Sequence, residues 1–392
     1  MPEIGGGGIG AFQELEHGLI RRGAPPSGGA GFASCRTGLD GDPRPCNVRA
    51  RRNAVRYIDA FNHFFPERFF AGVLETPAAR KDMGKRIRGI PALWDLEQRL
   101  AIVDSFPDYS QVLSLAMPAI DRLWPADKAP EWARIGNDEL AELVAKHPAR
   151  FPGYAASLPM NAPEAAAREA ERVLANGANA IQLHTNVDGA PIDQEVFLPI
   201  YDVIARSGRP ILLHPIRTRE MADYRTETVS KYEINSVIGW PFETGAALAR
   251  LVFSGIMDRF PTLKVITHHL GGIIPYFEGR VGHSWDQLGA RTSDEDYASL
   301  LKRLRKRPLD YFKDFYGDTA LAGARAPTIC GISFFGADHV VFASDCPFDP
   351  EKGKGYIRDT IAVIESLDLT PEDREKICHR NAQALFGLSS HA

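Results

Sequence analysis

AIQLHTNVDGAPIDQEVFLPIYDVIARSGRPILLH, residues 180–214, carries the repeat that decides the fold. Two short apolar runs, 180–184 and 210–214, each finish on a histidine, His184 and His214. Between them, residues 196–205 place apolar side chains at helical spacing. The runs are near-continuously apolar instead of alternating, as expected of strands whose two faces are both covered in a parallel sheet. The same unit recurs on either side, with strand-like runs at 55–61, 111–116, 153–158, 264–269, 315–319 and 340–345. Amphipathic segments at 163–175 and 243–257 fill two of the gaps, and Pro163 suits a first helical position. Eight strand–helix units predict an α/β fold of the (β/α)8 TIM-barrel type over residues 55–392.

Residues 1–54 differ from the rest. Their Gly- and Pro-rich composition offers no periodic apolar face, so a flexible N-terminal extension is expected there. The whole chain has 392 residues, with 46 Lys+Arg against 50 Asp+Glu and a formal charge of −4. That balance gives no support for a nucleic-acid or polybasic membrane partner. No apolar run approaches the roughly 18 residues that a membrane span requires. Five cysteines without CxxC pairing argue against a disulfide framework or a thiolate zinc site. A soluble, cytoplasmic, enzyme-sized protein is expected.

The polar residues fall at telling places. Five of the eight strands finish at or beside a group that can bind a metal or move a proton: His63, His184, His214, the pair His268-His269, and Asp345. Strand carboxyl ends converge on one mouth of a barrel, so these groups should meet there as a catalytic cluster. Imidazole with carboxylate suits a divalent metal: zinc first, then manganese, with magnesium less favoured. His63, His214 and Asp345 would supply three ligands and leave open positions for water or substrate. The long connections at 66–101 and 118–137 are expected to build the substrate pocket. Cys346, next to Asp345, should point away from the mouth into packing.

The motifs resemble those of the amidohydrolase-related decarboxylases, whose members act on 2-amino-3-carboxymuconate semialdehyde, resorcylates, other hydroxybenzoates and carboxyvanillate. The matching stretches are IDAFNHFFP at 58–66, Leu213-His214-Pro215, WPFET at 240–244, SGIMDRFP at 254–261, THHLGGIIPYFEGR at 267–280, YGDTA at 316–320 and FASDCP at 342–347. The resemblance implies His63, His214 and Asp345 as metal ligands and His269 as the general acid/base. His268, by strand alternation, is expected to face the other way. It further implies a homodimer in which Arg280 reaches the neighbouring active site to pair with a substrate carboxylate. Arg88 roughly matches a second carboxylate-binding arginine, with Arg86 as the alternative. Trp240, Phe61, Phe64, Trp94 and Phe348 are aromatic groups suited to a flat substrate.

One position departs from the pattern. The family usually carries His or Glu two residues before the second histidine of its opening motif, and here that residue is Phe61. Three alternatives follow from it: weaker metal binding, a substitute ligand such as Glu75 or His184, or a non-catalytic descendant. Gly317, where relatives often carry a bulkier residue, is expected to enlarge the pocket floor. The implied activity is metal-dependent decarboxylation of an aromatic or unsaturated carboxylic acid. A hydrolase or hydratase of the same barrel, and a non-catalytic ligand-binding barrel, remain the alternatives.

Overall fold

The computed structural model describes residues 55–80, 83–292 and 295–389. The expected N-terminal extension, residues 1–54, lies outside the described residues. Among the described residues eight strands form one sheet in sequence order: β1 (Tyr57–His63), β2 (Tyr109–Ser114), β3 (Gly153–Ser157), β4 (Ala180–His184), β5 (Ile211–His214), β6 (Val265–Thr267), β7 (Tyr316–Asp318) and β8 (Val340–Val341). All seven neighbouring pairs are parallel. Backbone bonds then close the ring, from Ala60 N–H to Phe342 O at 2.9 Å and from His63 N–H to Cys346 O at 2.9 Å. The (β/α)8 barrel expected from the repeating unit is the fold. Among the described residues no helix is long and apolar enough to cross a membrane.

The main covering helices are α1 (Glu67–Glu75), α2 (Ala129–Lys146), α3 (Pro163–Ala175), α4 (Leu198–Ser207), α5 (Gly239–Phe253), α6 (Glu278–Trp285), α7 (Arg325–Phe335) and α8 (Gly355–Ser366). Apolar side chains from strands and helices merge into one large core between the two layers. A second, smaller core fills the barrel itself, built from Ile58, Ala60, Phe61, Val112, Ala155, Ala180, Leu212, Ile266, Val341 and Ala343. Four of these ten are alanines, which keeps the interior narrow and leaves its upper layer to larger polar side chains. Ala382, Leu385 and Phe386 join the same core, and Asn179, just before β4, donates to the Phe386 carbonyl. The C-terminal helix therefore plugs the end where the strands begin. The other end stays available for chemistry.

The two long connections are structured. Glu139 of α2 accepts from the backbone N–H groups of Arg68 and Phe69, both at 2.8 Å, and so satisfies the free N-terminal donors of α1. Trp124 and Trp132 stack at 4.6 Å and pin the arm between β2 and β3.

Candidate active site

Register decides which residues enter the mouth. Leu212 pairs with Ile266 and Leu213 with Thr267 across β5 and β6, and Leu212 and Ile266 both lie in the barrel core. Two residues further along each strand stand His214 and His268, so both imidazoles point inward. On β1 the register slips between Asp59 and Asn62, a bulge that brings Phe61 and His63 onto the inner face beyond Ile58 and Ala60. Val341 at the end of β8 and Ala343 just beyond it face in, and Asp345 follows them at left-handed φ 62°. Such a backbone is costly for a residue with a Cβ, and strained positions of this kind cluster at functional sites.

Buried hydrogen bonds fix this layer. Asp59 accepts from the Phe61 N–H at 3.3 Å, the Ser344 N–H at 3.1 Å, the Ser344 hydroxyl and the Tyr109 hydroxyl. It thereby ties the bulge of β1 to the segment carrying Asp345. Burial pushes the Asp59 carboxyl up to about 6, against the pull of the Ser344 and Tyr109 donors. Arg99 is fully buried beneath the site and donates to the carbonyls of His63 and Ala92, to Gln111 and to the Cys346 sulfur. Cys346 is thus packed away from the mouth, as expected.

Four imidazoles and one carboxylate converge. The donor atoms of His63, His214 and His268 all lie within 4.8 Å of one another, and those of His268, His269 and Asp345 do likewise. His63 Nδ1–H donates to Leu115 O at 3.4 Å, which leaves Nε2 facing Asp345 Oδ1 at 3.2 Å. His214 Nδ1–H donates to Pro215 O at 2.7 Å and frees its Nε2. Backbone carbonyls that hold one imidazole nitrogen as donor are the usual means of aiming the other at a metal. Burial lowers the affinity of His63, His214 and His269 for protons, and neighbouring imidazoles add to the effect. Neutral imidazole is the form that ligates. Asp345 goes the other way: although burial opposes its charge, His268, His269 and His63 hold it well below the usual carboxylate range. The set is a site for a divalent cation.

His268 does not face packing, as strand alternation counted from His269 would have it. β6 ends at Thr267, and residues 269–272 all take left-handed φ values of 56°, 52°, 79° and 60°. His269 reaches the mouth from this turn, whereas His268, directly after the strand, keeps the inward parity of Ile266. One carboxylate steers both: Asp318 Oδ2 accepts from His268 Nδ1 at 2.6 Å, and Asp318 Oδ1 accepts from the His269 backbone N–H at 3.0 Å. Burial opposes the charge on His268, yet Asp318 and Asp345 push it up to about 10. His269 Nε2 stands 3.8 Å from Asp345 Oδ2, with its side chain 18% exposed. It is the imidazole of the cluster open to an incoming molecule.

The turn is anchored by Leu270, which is 2% exposed. A Cβ on Gly331 would come 2.1 Å from Leu270, and one on Gly317 would come 2.7 Å from it. Gly317 therefore makes a socket for Leu270 and does not enlarge the pocket floor. Gly331→Ala is expected to cost ~1–3 kcal/mol by overpacking. Because the displaced Leu270 adjoins His269, turnover should fall as well; thermal unfolding and initial rates check both.

The remaining expected residues divide. Trp240 lies at the site, its ring 5.4 Å from His214 and stacked 6.4 Å from His269, and its buried Nε1–H has no hydrogen-bond partner among the described residues. Phe61 sits among the imidazoles, 4.1 Å from His268, 5.5 Å from His63 and 5.8 Å from His214. Phe348 lies 5.5 Å from His63, and Arg86 stands 4.8 Å over its ring while donating to its carbonyl at 3.0 Å. Arg88 instead donates to the Ala79 carbonyl. Trp94 stacks on Phe70 and Phe64 packs in the outer core. Arg280 is exposed on α6 and lines a cavity with Phe242, Ile273 and Phe277 that none of the imidazoles lines. Of the two substitute ligands, Glu75 is exposed at the end of α1, and His184 is buried with its ring 5.7 Å from His214. Sequence reasoning missed Asp318 and Gln182. Gln182 points inward from β4, donates to Leu115 O at 3.1 Å and leaves a free acceptor, Oε1. Both are polar residues in apolar strands, the same signal that marked the histidines.

The amidohydrolase family pattern matches residues 58–388. A γ-resorcylate decarboxylase from Polaromonas sp. strain JS666 is 31% identical over 307 residues, covering 75% of this chain and 87% of that protein. The 2-amino-3-carboxymuconate-6-semialdehyde decarboxylase of Dictyostelium discoideum is 29% identical over 311 residues, covering 78% of this chain and 80% of that one. Among solved structures, a dihydroxybenzoic acid decarboxylase from Polaromonas sp. JS666, with bound manganese and the inhibitor 2-nitroresorcinol, superposes with a TM-score of 0.69 at 27% identity, covering 85% of this chain and 97% of that one.

Proposed function

The chain belongs to the amidohydrolase family, and from that premise we propose that it is a metal-dependent decarboxylase removing CO2 from an aromatic carboxylic acid of the hydroxybenzoate class. The observation that carries the reading is His269, a partly exposed imidazole beside three buried imidazoles and the Asp345 carboxylate. The γ-resorcylate and carboxymuconate-semialdehyde decarboxylases found by comparison support it. His63, His214 and Asp345 would hold the cation. Imidazole and carboxylate donors suit zinc first, and the manganese in the Polaromonas structure supports manganese as the alternative. When bound, it would supply Lewis-acid attraction for a carboxylate and a neighbouring hydroxyl.

The chain's own groups do the rest. Trp240 and Phe348 flank the mouth and accept a flat ring. His269, in its protonated form, delivers its proton to the ring carbon that bears the carboxylate. The carbon–carbon bond then breaks, its electron pair returns to the ring, and CO2 departs; the imidazole regains a proton from water. Arg86 offers a guanidinium one aromatic ring away from His63, and we assign it, in place of Arg88, to a second substrate anion. Arg280 serves the neighbouring subunit of a homodimer packed on the exposed Val237, Ile238, Phe242 and Tyr276.

Isotopes separate this chemistry from the hydrolase alternative. With a hydroxybenzoate substrate in D2O, the product should carry one deuterium at the former carboxyl-bearing carbon. In H2¹⁸O it should gain no new C–O bond. Incorporation of ¹⁸O into the organic product, with no CO2 evolved, would favour hydrolysis or hydration and refute decarboxylation.

A further inference from the structure

We propose that His268 is itself a metal ligand and takes over the coordination position that Phe61 cannot fill. The inference rests on the metal-centre reading above and goes beyond it, because it changes the composition of the donor set. His268 is the one residue common to both groups of converging donor atoms: it joins His63 and His214 on one side, and His269 and Asp345 on the other. Its Nε2 is fully buried, lies 3.5 Å from Asp345 Oδ1 and has no hydrogen-bond partner among the described residues. Its one polar neighbour there is Asp345, itself named above as a ligand, so a cation shared by the two would complete both.

The other face of the ring is already arranged for ligation. Nδ1–H donates at 2.6 Å to Asp318, which is wholly buried and accepts the His269 and Ala320 N–H groups as well. A carboxylate holding one imidazole nitrogen so that the other faces a cation is a recurring feature of metal centres. Phe61 completes the argument. Its ring contacts His63, His214 and His268 at once, so it occupies the donor layer without offering a lone pair. His268 reaches the same layer from β6, across the barrel from β1. His184, the other candidate, lacks this: its donor atoms belong to neither group.

Zinc-loaded protein and X-ray absorption at the zinc edge provide the test, because scattering from imidazole rings counts coordinated histidines without reference to activity. Wild-type protein should show three imidazoles. His269→Ala should still show three, and His268→Ala two, with zinc affinity reduced at least about 100-fold, beyond the 10–100-fold typical of losing an outer-shell partner. Asp318→Asn should fall within that outer-shell range. Phe61→His combined with His268→Ala should return the count to three. If His268→Ala is too unstable to load, the wild-type, His269→Ala and His184→Ala counts still decide: three in all supports His268, whereas two in wild type, or a drop on removing His269 or His184, overturns it. Wild-type protein that takes up no zinc would instead overturn the metal centre as a whole.

Discussion

His269→Ala is expected to lower turnover about 10²–10⁴-fold, the usual contribution of a general acid–base group, while the protein keeps its metal. Two features distinguish His269 from the other imidazoles of the cluster. It arrives on a left-handed turn after β6, is the partly exposed imidazole of the cluster, and stands 3.8 Å from Asp345. Burial lowers its proton affinity. His269→Asn keeps a hydrogen-bonding side chain of similar reach but cannot exchange a proton, so it should be nearly as slow as the alanine variant. Rates measured beside metal content check the account. Near-normal turnover in either variant would remove His269 from the chemistry.

His214→Ala should have the larger effect on the metal itself. His214 is buried, its Nδ1 is committed to Pro215 O at 2.7 Å, and its other nitrogen meets those of His63 and His268. Removing it leaves a cavity between Phe61 and Trp240, whose rings flank it at 5.8 Å and 5.4 Å, and neither can replace a donor. Most bound metal and essentially all turnover should be lost together, since metal affinity depends on the full set of deprotonated ligands. Elemental analysis of the purified variant gives the answer; full occupancy would reject the ligand set.

Much of the barrel and its mouth is legible in the sequence itself. Eight apolar runs locate eight strands because both faces of a parallel sheet are covered, and terminal histidines on several of them point to one mouth. The differences arise where the chain stops being a strand. Alternation carried through His268 and His269 requires β6 to continue, but it ends at Thr267 and four left-handed residues follow His268. Parity counted from Ile266, within the strand, puts His268 inside. The β1 bulge is equally silent in sequence, although the inward placement of both Phe61 and His63 depends on it. Arg86 and Arg88 lie two residues apart in a short helix, and only side-chain partners distinguish them: Phe348 for one, the Ala79 carbonyl for the other. Asp318 carries no obvious role in sequence because its work is done on a neighbour, the His268 ring.

The most direct test titrates metal-free protein with zinc or manganese while CO2 release from a hydroxybenzoate is followed. Activity should rise linearly with added ion and break at one ion per chain. CO2 release that is undiminished in metal-free protein, or that stays absent when one ion per chain is bound across a panel of hydroxybenzoates, would contradict it.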